Sequence, residues 1–445
     1  MKNKTWNPVK MSVIAVAVAA AVQFPAQAQS LKDAVDMTIK TNPDILVETN
    51  QRLANDEAVK GARGGFLPKV DLLLGTGRQW SDNATTRAAG FDGRSLNRRE
   101  GQATLTQMLF DGFGVSSEVN RHKARVESAA YKVLGTSEAI GLRAVEAYLS
   151  VLRNRDLVQL TKDNLDAHIR TQDQIRIRSQ GGVGRKSDQE QVDARVGLAK
   201  ANLVSAEANL RDAETTFLRI VGAKPVTLDK PAAPDTTLIP KSVEETVQAA
   251  IDNHPILKSA GADLKAAEYQ REAAKSALYP RLDLELGYGK NNNLDGVSGT
   301  NDERHAMLRM RYNLFKGGSD VARERETGHL TDEAREVMNR TRRQVDESTR
   351  LSWNALYSAS ERLPSLKVHA DMSAATRDSY AKQFNLGQRT LLDLLDSENE
   401  TYTARTNLTD ATYLELFARF RLFADMGQLL NYLGVPPPPE AALNQ

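Results

Sequence analysis

The stretch "TLLDLLDSENE" at residues 390–400 sets Asp393 and Asp396 three residues apart, with leucine pairs before and between them. On a helix that spacing puts both carboxylates on one face, where like charges repel locally. Crowded carboxylates raise one another's pKa and attract cations, so the spacing offers a small acidic cluster beside an apolar seam. A plainer reading is open too: acids at a helix start meet the positive end of its dipole. Other candidate chemistry is thin. The histidines at 122, 168, 254, 305, 329 and 369 are scattered, with no HExxH or other paired spacing that zinc would need. The chain has no cysteine, which excludes disulfides, thiolate metal sites, a cysteine nucleophile and a lipid-modified cysteine. No serine, histidine and acid cluster stands out, so we expect no enzyme, cofactor or metal.

Charge excludes little else. With 59 basic and 57 acidic residues the net charge is +2, which gives no global argument for nucleic acid. The basic stretch "NRTRRQVDESTR" (339–350) is interspersed with acids and reads as a solvated helix face. Lys2, Lys4 and Lys10 lead into "MSVIAVAVAAAVQF", and "AQA" follows at 26–28. That order predicts a secretory signal peptide over 1–28, cleaved after Ala28. No other segment approaches the ~20 apolar residues of a spanning helix.

The remaining chain is duplicated. "SLKDAVDMTIKTNPDIL" (30–46) lies over "SVEETVQAAIDNHPIL" (242–257), and "ARGGFLPKVDLLLGTG" (62–77) over "AKSALYPRLDLELGYG" (274–289). Pro43 with Pro255 and Pro68 with Pro280 both give an offset of 212; "LFDG" (109–112) against "LFKG" (314–317) gives 205. The predicted organisation is a first repeat over 29–223, a Pro-rich linker over 224–241, a second repeat over 242–432 and a Pro-rich tail over 433–445.

Each repeat reads as a short helical segment, a strand, a polar loop, a second strand, a tight turn and then very long helix. In "RLDLELGY" (281–288), Leu282, Leu284, Leu286 and Tyr288 face one side, with Arg281, Asp283 and Glu285 opposite. In "HAMLRMRYNLF" (305–315), Ala306, Leu308, Met310, Tyr312 and Leu314 alternate with Arg309, Arg311 and Asn313. Period-two alternation marks a strand wet on one face, and a sandwich core would not tolerate those charges. The repeated "GTG" (75–77) and "GYG" (287–289) fall in such strands and are not phosphate loops. Polar loops are expected over 79–101 and 290–303. Helix is expected over 116–180, over a segment with the seam Val192, Val196, Ala199, Leu203, Ala206, Leu210, Ala213, Phe217 and Ile220, and over 319–384. Pro364 should kink or break the last of these. A looser seam follows through Leu392, Leu395, Tyr402, Tyr413, Leu416, Phe420 and Phe423.

Four strands cannot close a barrel, and open sheet edges are not viable in lipid. Two chains would give eight strands, filled by side chains; three give twelve and a lumen. The expected fold is therefore a mixed α/β membrane protein. A twelve-stranded transmembrane β-barrel is shared by a homotrimer, four strands per chain, and continues as a coiled-coil α-helical barrel.

Taken with "FNLGQRTLLDLLDSEN" (384–399), the duplicated strand pairs and "LFDG"/"LFKG", the mature chain resembles the TolC family of outer-membrane export channels along its length. The resemblance implies a bacterial outer-membrane channel reaching into the periplasm. Its implied partners are a periplasmic adaptor (membrane fusion protein), an inner-membrane ABC transporter or other pump, and outer-membrane lipid. Among its branches the chain looks most like outer-membrane components of type I protein secretion, with a large adhesin as one cargo. The other readings are a multidrug efflux factor and a non-channel periplasmic coiled-coil adaptor.

The family's periplasmic closing motif maps onto Phe384, Gly387, Arg389, Thr390, Asp393 and Asp396, and the resemblance implies that Asp393 and Asp396 line the aperture. Placing Gly184 on Gly387, an offset of 203, sets Ser187 on Thr390. Asp188 then stands where the family's carboxylate bonds an arginine and an aromatic hydroxyl, here Arg389 and Phe384. Phe384 has no hydroxyl, so this latch lacks one bond.

Overall fold

The computed structural model describes residues 29–182 and 185–443; the expected signal peptide and Gly184 lie outside the described residues. The chain begins with helices α1 (Leu31–Thr41) and α2 (Pro43–Arg63). Strand β1 (Lys69–Ser81), a short helix α3 (Ala84–Ala88) and strand β2 (Arg94–Phe110) come next. Helices α4 (Gly114–Gln180) and α5 (Lys186–Val221) complete the first half. The second half repeats the order with α6 (Val243–Asn253), α7 (Pro255–Lys275), β3 (Arg281–Asn292) and β4 (Thr300–Arg311). It ends with α8 (Ser319–Asn385), α9 (Leu391–Asp425) and a last turn, α10 (Leu429–Leu433).

The opening helical segment of each half is two helices, not one. Asn42 and His254 precede prolines, and the proline ring drives the preceding residue to extended backbone, with ψ of 126° and 119°. Each then caps the next helix by accepting from an amide two residues on.

The four strands form one antiparallel sheet in the order β1-β2-β3-β4, leaving β1 and β4 as edges. The strands are longer and the loops shorter than alternation predicts. Polar residues 300–304 join β4 because they pair with Asn292 to Tyr288, so partnership rather than hydropathy makes the strand. β4 stops at Arg311, opposite Arg281, because Pro280 cannot extend β3. Tyr312 and Leu314 therefore fall beyond the alternating strand in which they were expected.

Helices α4 and α8 each run 67 residues, about 100 Å at 1.5 Å per residue. The expected break at Pro364 does not occur; α8 passes through it without interruption. A proline removes one main-chain bond, and many surrounding turns packed on α7 and α9 hold the helix across the gap. Threonines ease close packing: Thr161, Thr171, Thr331 and Thr349 turn their hydroxyls onto the carbonyl four residues back, so these four hydroxyls are not stranded.

The main core gathers Tyr148 of α4, Phe217 of α5, Phe420 and Phe423 of α9 and Leu429 and Leu430 of α10. The Pro-rich linker crosses this region pinned down. Tyr148 donates to the carbonyls of Gln29 (2.7 Å) and Asp229 (2.6 Å), and Arg419 to that of Pro234 (2.7 Å). The seam of α5 buries Val192, Val196, Ala199, Ala213, Phe217 and Ile220, with Leu203, Ala206 and Leu210 half-buried. In α9 the seam shifts by one residue at its start. Leu391, Leu394 and Leu395 are buried while Leu392 is exposed.

Candidate functional site

The sheet sorts its side chains by chemistry. Cross-strand partners share a face, and the register places Val70 beside Leu105 beside Leu286 beside Ala306. Leu72, Leu74, Leu284, Leu308 and Met310 point the same way, and the isolated chain leaves most of this apolar face bare. The opposite face is charged and hydrogen-bonded. Asp283 is fully buried between Arg281 and Arg311, at 3.1 and 3.0 Å. Glu285 accepts from Arg309 and lies 3.3 Å from His305 Nε2. Glycines make room on this face: a Cβ at Gly287 would sit 2.2 Å from the His305 ring, and one at Gly75 2.5 Å from the Glu100 carboxylate. Exposed Phe66, Phe113, Tyr279, Tyr312 and Phe315 rim the helix end of the sheet, and Trp80 and Phe91 the far end. An apolar outer band, aromatic rims and a polar inner face are what a barrel wall between lipid and water requires.

The turns joining α4 to α5 and α8 to α9 lie a full long-helix length from the sheet. Gly182 and Gly387 both adopt a left-handed φ of 77°, and each stands two residues past its 67-residue helix. Gly387 thus matches Gly182 in conformation, at an offset of 205, while Gly184 at 203 lies outside the described residues. In that register Asp188 is the counterpart of Asp393, and Arg185 that of Thr390.

Thr390 caps α9. Its hydroxyl accepts from the Asp393 amide (3.2 Å) and donates to the Asp393 carboxylate (2.8 Å), which also accepts from the Thr390 amide (3.2 Å). These bonds, the Thr390 hydroxyl foremost, hold the Asp393 carboxyl below its ordinary pKa in the single chain. Asp396 accepts from Arg195 of α5 at 3.0 Å, the ion pair that ties the two halves together here. Arg389 turns away from copy one. It donates to Gln383 (3.0 Å), lies 4.2 Å over the Tyr380 ring and stands 3.9 Å from Asp393. Among the described residues the Asp188 carboxylate has no ion-pair partner, and Ser187 is exposed, so a bond from Asp188 to Arg389 is not formed within the chain. Phe384 is buried in a small cluster with Ile175, Val192, Leu391, Leu394 and Leu395, beneath the Arg178 guanidinium at 4.7 Å. Its ring is a packing element, as befits a side chain with no hydroxyl.

The acids that follow are paired rather than merely solvated. Glu398 meets Arg377 at 3.5 Å, and Glu400 lies 2.7 Å from His369. Arg195 and Arg178 escaped sequence reasoning because nothing in their spacing announces partners on another helix, and Tyr380 because its partner Arg389 is brought back over it by the turn after α8. No helix among the described residues is long and apolar enough to cross a membrane, and no cluster there could hold a metal ion.

The family described as "Outer membrane efflux protein" matches residues 34–223 and 246–428. The chain is 25% identical to outer membrane efflux protein BepC of Brucella suis over 91% of its own length and 86% of the relative's. It is 26% identical to alkaline protease secretion protein AprF of Pseudomonas aeruginosa, covering 90% and 85%. Outer membrane protein TolC of Vibrio cholerae is 24% identical, covering 90% and 91%. Among solved structures, a membrane protein from Pseudomonas aeruginosa superposes with a TM-score of 0.79 at 17% identity, covering 89% and 93%. The outer-membrane channel OprN gives 0.78 at 19%, covering 92% and 91%. The sheet with one lipid-compatible face, the paired 67-residue helices and the family match over both halves agree: the chain belongs to the outer membrane efflux protein family, and it is a bacterial outer-membrane channel reaching into the periplasm, not an enzyme.

Proposed function

We propose that three copies close a twelve-stranded barrel and a helical tube of six repeats. In this reading the duct passes protein cargo from an inner-membrane ABC transporter and periplasmic adaptor to the cell exterior. The observation that carries the assembly is the bare apolar face of a four-stranded sheet whose edges, β1 and β4, have no partner in the chain. In lipid such edges must pair, and the β4 edge of one copy fits the β1 edge of the next. Protein cargo is favoured by relatives named for protease secretion, AprF and PrtF of Dickeya chrysanthemi. The name of BepC points instead to general efflux.

At the periplasmic end, Asp393 and Asp396 of three copies converge on the axis, a ring of six carboxylates that attracts cations and repels anions. The Arg195–Asp396 pair restrains the aperture from within each copy, and the left-handed turns at Gly182 and Gly387 let it swing. Asp188, Ser187, Thr390 and Arg389 act across copies or in the opened state, and Phe384 supports them by packing. Deleting the gene tests the cargo. Protein secretion should fail with drug susceptibility unchanged, whereas hypersensitivity with normal secretion would favour small-molecule efflux.

A further inference from the structure

The two halves correspond residue by residue: α1 and α6 are offset by 212 at 11 residues each, and α4 and α8 by 205 at 67 each. In the first half the groove between α1 and α4 is filled by α10. The amides of Leu429 and Leu430 donate to Glu138 of α4, and a Cβ on Gly141 would stand 3.1 Å from the Leu430 side chain and 3.7 Å from Val35 of α1. Ile39, Ser137 and Glu138 are buried there.

The matching groove of the second half, between α6 and α8, stays open as a cavity of about 430 Å³ lined by Ile251, Asn339, Arg342, Arg343 and Asp346. Residues 339, 342, 343 and 346 share one face of α8. Arg342 and Arg343 stand in the places of Ser137 and Glu138, so a base replaces the acid that receives α10. Both arginines are exposed and have no ion-pair partner among the described residues. The acids around them are engaged: Asp346 is 2.7 Å from Arg350, which also meets Glu244 at 3.4 Å, and Glu336 accepts from Asn339 at 3.4 Å. Arg343 lies 24 residues past Ser319, the start of α8, about 36 Å from the sheet end of that helix at 1.5 Å per residue. That depth is in the periplasm, below the membrane. The two arginines belong to the basic stretch "NRTRRQVDESTR", which nothing in the duct itself uses.

We propose that the α6–α8 groove binds the cell wall, taking carboxylate groups on the peptide stems of the wall's glycan polymer. The guanidinium fork pairs bidentately with a carboxylate, and Arg342 and Arg343 offer two forks side by side. Ile251 is the one apolar side chain in the lining, too little for the apolar core that a protein partner would seat. A wall polymer repeats its carboxylates, so the grooves of an assembled duct, all at one depth, gain avidity from a single strand or from neighbouring ones. The assignment rests on the duct proposed above, whose lumen stays clear only with α1 and α6 outside the wall of the tube.

Cosedimentation of the full chain, in mild detergent, with insoluble wall sacculi stripped of protein tests this. The wild type should pellet with the sacculi at low ionic strength and be released by raised salt. Arg342→Ser with Arg343→Ser should lower the bound fraction about tenfold, while Arg362→Ser with Lys367→Ser, an equal loss of charge on an exposed stretch of α8 away from the groove, should leave it unchanged. Sacculi whose stem carboxylates have been converted to amides should hold neither form. A wild type that stays in the supernatant, a groove variant that pellets as well as the wild type, or equal binding to amidated sacculi overturns the assignment. If an oligoglutamate peptide binds the wild type and not the groove variant while sacculi bind neither, the groove serves an acidic protein and the wall is ruled out. Native mass of each variant reads the assembly separately, so a chain that forms no oligomer counts against the duct and not against the groove.

Discussion

Glu138 offers a direct test of how the C-terminal segment is held. It sits on α4, almost wholly buried, and its carboxylate accepts from the amides of Leu429 (3.0 Å) and Leu430 (3.4 Å), where α10 begins. Burial pushes its pKa from the ordinary 4.5 up to about 7, although the two amides work against the rise. The sign follows from linkage. The folded state holds the proton to higher pH than the unfolded state, so stability falls as pH rises from about 4.5 to about 7 and stays reduced above. At about 1.4 kcal/mol per pH unit, the total loss is about 3 kcal/mol, most of it between pH 5 and 8. Glu138→Gln keeps one acceptor but cannot ionise, at the cost of about 1 kcal/mol for the weaker second bond. Hydrogen exchange of the 426–435 segment, corrected for intrinsic rates, reads the local opening energy. Between pH 5 and 8 the wild type should lose about 2–3 kcal/mol relative to the variant, so the variant is the tighter form at pH 8. Half-buried His254 nearby has a pKa lowered by desolvation and contributes the opposite slope below pH 6.5, but it is present in both proteins and cancels. Parallel pH profiles for the two would refute the reasoning.

Further outcomes follow from the same geometry. Arg195→Ala frees Asp396 and should enlarge single-channel conductance in planar bilayers; unchanged conductance would remove the Arg195–Asp396 pair from the gate. Asp188→Ala or Arg389→Ala should enlarge it only if those residues act across copies, a contrast the same recordings read. Asp393→Asn with Asp396→Asn should weaken block by polyvalent cations, and undiminished block would place the carboxylates away from the axis. Phe384→Ala empties a buried site and should cost about 3–5 kcal/mol at the aperture end, seen as faster proteolysis near residues 380–392. Gly287→Val drives a side chain into the His305 ring and should abolish the heat-modifiable assembly in outer membranes, with Gly287→Ala partly rescued by His305→Ala.

Much of this architecture is visible in the sequence because repetition and alternation are periodic signals. Leu282, Leu284, Leu286 and Tyr288 declare a face, and Pro43, Pro68, Pro255 and Pro280 declare a repeat. The extent of β4 was hidden, since residues 300–304 are polar and become strand only by pairing with β3. Pro364 misleads because the penalty of one lost bond is local, whereas the hold on α8 comes from helices remote in sequence. Several glycines crowd residues 181–184, and among the described ones only backbone conformation shows that Gly182 takes the left-handed φ that Gly387 also takes. The partners of the aperture acids were illegible: Asp396 meets Arg195 across 201 residues of chain, and no spacing rule reaches that far.

A continuous barrel requires the sheet to close between copies. Native mass spectrometry of the protein extracted from outer membranes in mild detergent tests that directly. Three chains of about 49 kDa each, less any cleaved leader, are predicted as one particle. A monomer or dimer under conditions that keep the sheet folded would contradict it.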